Sequence, residues 1–329
     1  MIRLLFMTDP HVRGTSPRAR TDNYPEAISA KLIETAEIAR QHKCDAVVCG
    51  GDFFDSPDPA PIVVREFARV LRAFTVPVYI APGNHEIYGY NLDSIPRTML
   101  GLLAEFDMMQ ILTKEESRII SDGKINIALT GQGFYHDIDR HPDDYMTRIV
   151  STNEMIRKVW HVHVVHGMLV EKPLPYEVAH TLVKDCRTNA DVVLSGHEHL
   201  GYGLIRRDDG VWFCNPGALG RVSAKVEEFH RQVRVAVFTF TEDGIFAELV
   251  PLKSARPGHE VLSRDHLIQA AEREERTAAF LALLAEDRET RLLDTREIIN
   301  HIADSEQLPE LVRVEALKRL GRAREQLSA

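Results

Sequence analysis

Short runs of Val, Ile and Leu, each too brief for a long helix and separated by amphipathic segments, limit what this chain can become. "IRLLFM", "DAVVCGGD", "VPVYIAPGNHE", "INIALTG", "HVHVVHG", "DVVLSGH", "VWFCNPG", "VRVAVFTF" and "IFAELVPL" read as extended, largely buried strands. Between the first two, Tyr24 to Gln41 places Ile28, Leu32, Ala36 and Ala39 on one helical face, and residues 60–74 look helical again. The alternation predicts an α/β protein in which helices cover β-structure, in two layered sheets rather than one. With 329 residues, 44% of them hydrophobic, the chain can bury a large core and form more than one domain. After Pro257-Gly258 the composition turns to Glu, Arg, Ala and Leu with almost no glycine. The expected division is therefore 1–257 for the layered domain and 258–329 for a helical C-terminal region.

No apolar stretch approaches the roughly 18 residues of a membrane span, and "MIRLLFMTDP" lacks the sections of a signal peptide, so no membrane association and a cytoplasmic location are expected. Cys44, Cys49, Cys186 and Cys214 are scattered with no C-x-x-C, which reads as reduced packing thiols. A net charge of -9 argues against non-specific coating of nucleic acid, although bound cations would reverse the local field at a metal site.

The polar residues that make least sense inside a core sit where strands end. Asp9 and His11 follow "LLFMT", Asp52 follows "AVVCGG", Asn84 and His85 follow "VPVYIAPG", His166 follows "HVHVV", and His197 and His199 follow "DVVLSG". Taken singly, Asp-x-His is a common turn or cap and "GNH" a common tight turn. In an α/β sheet, however, loops beyond the carboxyl ends of strands converge on one crevice. Carboxylate, imidazole and amide oxygen together suit a pair of divalent transition ions. Two such ions need an anion between them, and Asp52 is the natural bridge.

"DPH", "GGDFFD", "GNHE", "VVHGM" and "GHEH" together resemble the ordered motifs of the calcineurin-like metallophosphoesterases, from Asp9 to His199. "GDFFD", "GNHE" and "HGM" most resemble the SbcD-type nuclease subunit that works with an SbcC-type coiled-coil ATPase in DNA repair. The resemblance implies a metallophosphoesterase sandwich, two packed mixed β-sheets flanked by helices, that binds two divalent ions, manganese first, with iron, zinc or magnesium as alternatives. It implies a first ion held by Asp9, His11, Asp52 and His199 and a second by Asp52, Asn84, His166 and His197, with a turn supplied by Gly196. It implies hydrolysis of DNA phosphodiesters by a metal-activated water, with His85 stabilising phosphate or protonating the departing oxygen, and it implies a homodimer. Competing readings are a phosphomonoesterase or cyclic-nucleotide phosphodiesterase on the same site, and a metal-free scaffold of the same fold.

Several other features are weighed against plainer roles. His161 and His163 have strand parity opposite to His166, so both should point away from the metals. The loop "RGTSPRAR" places Arg13, Arg18 and Arg20 within reach of the crevice as phosphate contacts, and Arg221, which ends "NPGALGR", joins them. Leu92 to Phe106 spaces Ile95, Met99, Leu102, Leu103 and Phe106 as a helix that would serve the core or a partner. In the tail, Leu311, Val314, Leu317 and Leu320 form a narrow stripe suited to the domain itself or to a partner's coiled coil. The resemblance implies a capping domain, and the room left for one, a reduced cap around 222–257, is a departure from the SbcD-type pattern.

Overall fold

The computed structural model of the chain describes residues 1–149, 158–265, 273, 276–277 and 295–327. They divide into two compact units, Met1–Arg264 and Asp265–Ala329. In the first unit, β13 (Arg234–Phe240) and β14 (Ile245–Pro251) join β1 (Ile2–Met7), β2 (Ala46–Cys49), β3 (Val78–Ile80) and β4 (Gln110–Ile111) in one six-stranded sheet, in the order β14-β13-β1-β2-β3-β4. The second sheet has the order β11-β12-β10-β7-β6-β5, built from β5 (Arg118–Ser121), β6 (Ile125–Gln132), β7 (Lys158–Gly167), β10 (Val192–His197), β11 (Gly203–Arg206) and β12 (Trp212–Asn215). Strands β1 to β4 run parallel, as do β6, β7, β10 and β12, while β13, β14, β5 and β11 pair antiparallel. A small ladder of β8 (Leu169–Val170) and β9 (Thr181–Leu182) lies apart.

Side-chain alternation explains the layering. On β1, Ile2, Leu4 and Phe6 enter the core between the sheets with Val48, Leu129, Val164 and Leu194, while Leu5 and Met7 face the helices. Those helices are α1 (Tyr24–Gln41), α2 (Pro61–Leu71) and α3 (Met99–Glu105). The Asn23 side chain accepts the Glu26 N–H to cap α1, proline opens the first turn, and Ile28, Leu32, Ala36 and Ala39 are buried along its face. Helix α2 starts on Pro61 and buries Val63, Val64, Phe67 and Leu71. All four cysteines are free and buried, and burial pushes the Cys44 thiol up to about 11 and that of Cys186 up to about 12.

Three expectations change here. The helix expected over Leu92 to Phe106 is two pieces, a 3₁₀ turn over Leu92–Arg97 containing Pro96 and then α3, because proline breaks the turn and Thr98 caps the next helix by accepting the Gly101 N–H. Leu100 and Leu103 are then the buried residues, while Leu102 and Phe106 are exposed. The reduced cap expected around 222–257 is instead α4 (Val226–His230) plus β13 and β14, which complete the first sheet against β1. The first unit runs past residue 257, since α5 (Gly258–Val261) packs Val261 and Leu262 with Ala19 and Ala224.

The second unit contains helices over Thr295–Ser305 and Glu310–Leu327, on which Leu311 and Val314 are exposed and Leu317 and Leu320 half-buried. Apart from Arg273, Arg276 and Thr277, the helices expected between 266 and 294 lie outside the described residues. No helix among the described residues is long and apolar enough to cross a membrane.

On β7, Val162 and Val164 face the inter-sheet core, and His163, of opposite parity, is buried with its Nδ1 2.8 Å from Thr130 Oγ1. Burial, helped by the Lys114 charge, pushes the His163 pKa down from 6.5 to about 3. Between those values only the unfolded chain takes the proton, so the stability from this group is full above pH 6.5 and is lost as pH falls. His163→Asn should remove a slope of about 1.4 kcal/mol per pH unit from the acid limb of the unfolding curve. Urea titrations of both proteins across that range measure it, and parallel curves would contradict the assignment.

Candidate metal centre

Parallel strands β1, β2 and β3 of one sheet and β7 and β10 of the other all end at one crevice, with the polar set on their last residues and the loops that follow. Four of these residues have left-handed backbone: Asp9 at φ 50°, His11 at 48°, Asp52 at 49° and His197 at 76°. Each such conformation costs a side-chain-bearing residue roughly 1 kcal/mol and persists only when its surroundings impose it. The surroundings here are a lattice of main-chain bonds: Asp9 N–H to Gly51 O, His11 N–H to Asp52 O, Val12 N–H to Phe53 O and Gly220 N–H to Asp9 O. Strand β10 runs through His197, so the bend lies at His197 and not at Gly196 as expected. Gly196 serves a different need, because a Cβ there would lie 2.4 Å from both Gly50 O and Thr8 Oγ1.

The side chains form two groups. Asp9, His11, Asp52 and His199 make one and Asp52, His166 and His197 the other, with ligand atoms in each group within 4.8 Å of one another. Asp52 belongs to both: its Oδ2 lies 3.7 Å from His11 Nε2 and 3.4 Å from His166 Nε2. Asn84 Oδ1, 3.2 Å from His166 Nε2, brings an amide oxygen to the second group. Asp9, His11, Asp52 and His166 are almost fully buried, and His197 and His199 are partly open.

The donor set fits a pair of cations. His166 Nδ1 donates to Gly50 O at 2.7 Å, leaving Nε2 aimed at His197 Nδ1 only 3.2 Å away. In the other group, Asp55 Oδ1 lies 3.2 Å from His11 Nδ1, and His11 Nε2 faces His199 Nε2 at 3.0 Å. Facing ring nitrogens at such distances either share a proton in an N–H···N hydrogen bond or turn their lone pairs together on a bound cation. Burial disfavours charge on His166, yet the Asp52 and Asp9 carboxylates overrule it and raise its pKa to about 9. Its partner His197 is driven down to about 3 by burial and by the His166 charge. Burial likewise works against the Asp52 carboxylate, but His166 holds it ionised, well below the ordinary range.

Two residues given no role from sequence hold this arrangement. Buried Glu86 accepts backbone N–H bonds from Asp52, Phe54 and Gly83, and burial followed by the Asp52 charge raises its pKa to about 7. Asp55 faces His11 with one oxygen, pairs with Arg13 through the other at 2.8 Å, and receives the His85 Nδ1–H on its main-chain carbonyl at 2.9 Å. Both are the terminal acids of quoted motifs, "GNHE" and "GDFFD", which was the available signal. His85 is the most open of the group at 39% side-chain exposure; its N–H donates to Asp52 Oδ1 and its ring packs edge-on against His11.

The arginines separate. Arg13 and Arg18 stay at the surface, Arg13 one-third exposed. Arg20 and Arg221, expected at the crevice, are buried: Arg20 pairs with Asp22, and Arg221 donates to the carbonyls of Arg256 and Arg231. Neither group is free to meet a phosphate, and the "NPGALGR" loop serves the centre through its backbone, with Leu219 N–H on Thr8 O and Ala218 N–H on His199 O.

Residues 2–201 match the family described as calcineurin-like phosphoesterase. Similar solved structures include a protein of Thermus thermophilus, 13% identical with a TM-score of 0.41 over 75% of this chain and 98% of that one. A dimetal phosphatase from Danio rerio is 13% identical, TM-score 0.43, over 76% and 96%. One described as a novel archaeal phosphodiesterase is 12% identical, TM-score 0.36, over 76% and 100%.

Because Glu86 fixes the backbone on both sides of the shared carboxylate, Glu86→Gln should leave the protein folded but weaken divalent-metal binding by roughly 10- to 100-fold. Isothermal titration with manganese reads this directly; unchanged affinity would show that Glu86 supports only the fold.

Proposed function

The chain belongs to the calcineurin-like phosphoesterase family, and on that premise we propose that it is a two-metal phosphodiesterase that hydrolyses DNA, an SbcD-like exonuclease with endonuclease activity on single strands. The observation that carries the reading is the sharing of Asp52 Oδ2 between two histidine-rich groups, the arrangement that a pair of cations about 3.5 to 4 Å apart requires. Asp9, His11, Asp52 and His199 would hold one ion and Asp52, Asn84, His166 and His197 the other. Bound divalent ions, manganese by preference, supply Lewis acidity that holds phosphate oxygens and lowers the pKa of water. The choice of DNA is supported by the "GDFFD", "GNHE" and "HGM" forms of the motifs and by surface residues Arg13 and Arg18 on the loop after His11.

The chain's own contribution is positioning and proton transfer. With Nδ1–H committed to the Asp55 carbonyl, His85 keeps Nε2, 4.0 Å from Asp52 Oδ2, for a proton to be delivered to the departing oxygen. The Asp52 carboxylate is locked by the His85 N–H on Oδ1, so Oδ2 alone faces the histidines. The reading also carries a homodimer, an SbcC-type coiled-coil ATPase partner and a cytoplasmic setting, which sedimentation, co-purification and fractionation address.

Manganese-dependent cleavage of linear duplex DNA, single-stranded circles and bis-p-nitrophenyl phosphate is expected, with p-nitrophenyl phosphate a poor substrate. Hydrolysis of the monoester alone would overturn the nuclease reading, and a purified chain with no affinity for divalent ions would favour a scaffold. His85→Ala should keep both ions and lose turnover by about 10²- to 10⁴-fold, whereas Asp52→Ala should lose both ions. Equal metal loss in the two variants would remove His85 from its role.

A further inference from the structure

An aromatic wall continues the metal centre on the side away from His85. The Phe134 ring lies 5.2 Å from the His197 ring and 6.2 Å from the His166 ring, and the Tyr90 ring lies 5.3 Å from Phe134. His85 packs instead on His11. Tyr90 is 51% exposed and its neighbour Tyr88 42% exposed.

The backbone spends conformational strain to present this ring. Gly89 at φ 59° and Tyr90 at φ 58° are both left-handed, and the Asn91 N–H returns to Tyr88 O at 3.1 Å, the pattern of a type I′ turn. Glycine suits such a position and asparagine tolerates it, but tyrosine is disfavoured there. The turn is braced nonetheless: the Tyr88 N–H donates to Ser94 Oγ, and Ser94 Oγ donates to Asn91 O. Phe134 is held as firmly, since its N–H donates to Pro82 O at 2.8 Å and Gly133 sits where a Cβ would come within 2.7 Å of Leu92 Cδ2. An exposed aromatic on a strained, braced turn, one ring removed from a ligand histidine, is poorly explained by fold stability.

We propose that Tyr90 and Phe134 form a stacking subsite for a nucleobase adjoining the scissile phosphate. The proposal rests on the reading of the centre as a nucleic-acid phosphodiesterase and adds how the strand is seated. The metal centre takes the phosphate, and the flat group a nucleic acid carries next to its phosphate is a base. Stacking on aromatic faces tolerates any base, so the subsite orients the strand without reading sequence. It also gives an acidic protein a hold on DNA that does not depend on a basic surface.

The test compares the manganese-loaded full chain on a single-stranded oligonucleotide and on a strand of the same length made of tetrahydrofuran abasic residues. The intact protein should favour the base-carrying strand by roughly tenfold in kcat/KM, mainly through KM. Tyr90→Asn, which suits the left-handed turn, should raise the melting temperature and yet lose most of that preference. Phe134→Leu should also lose it, and Tyr90→Phe should keep it. Equal cleavage of the two strands by the intact protein, or an equal loss on both in Tyr90→Asn, overturns the subsite and leaves the phosphodiesterase reading standing. A protein that cleaves neither strand but hydrolyses p-nitrophenyl phosphate overturns both.

Discussion

The arrangement depends on one buried carboxylate serving two neighbours. Asp52 is closed off from water, and its Oδ2 lies within 3.7 Å of imidazole nitrogens from both groups. An anion in that position is tolerable only because the histidines around it supply positive charge, as protonated His166 does, or because bound cations do. The same condition explains why neighbouring rings respond in opposite ways, with His166 pulled up by the carboxylates and His197 pushed down by burial and by His166. The same buried cluster can therefore balance the carboxylate with a protonated imidazole or with a bound cation.

That demand reaches into the backbone. Four residues of the candidate metal centre adopt left-handed conformations, and their loops are laced by main-chain bonds that keep them there. Glycine appears where two segments of the chain must touch: a Cβ at Gly83 would fall 2.1 Å from Asp52 Oδ1 and one at Gly196 2.4 Å from Gly50 O. Glu86 completes the support by accepting the N–H groups of Asp52, Phe54 and Gly83. Strain at the centre is thus offset by hydrogen bonds whose partners are brought together mainly by the parallel pairing of β1, β2 and β3, with Gly220 reaching Asp9 from the other sheet.

Most of the framework was legible in the amino-acid order. The boundaries of β1 and α1 follow from periodicity and capping, and the strands that deliver polar residues to the crevice were visible as apolar runs. What periodicity missed has identifiable causes. Pro96 and the Thr98 cap split a stretch whose apolar spacing resembles one helix. Strands β4, β8 and β9 are two residues long, too short to show alternation. Arg20 and Arg221 have the composition of phosphate contacts, but Asp22 and the carbonyls of Arg231 and Arg256 claim them inside the fold.

The sequence by itself determined which residue types stand at strand ends and which side of each strand enters the core, because both depend on local order and on a side-chain period of two. It also determined the family match over residues 2–201, since ordered motifs are a property of the chain. Tertiary structure decided the rest. Only the meeting of two sheets makes one oxygen of Asp52 common to two groups and sets Tyr90 beside Phe134, and only the side-by-side pairing of β1, β2 and β3 turns the acids of "GNHE" and "GDFFD" into supports. Those contacts join residues far apart along the chain, and no local pattern encodes a distance across such a separation.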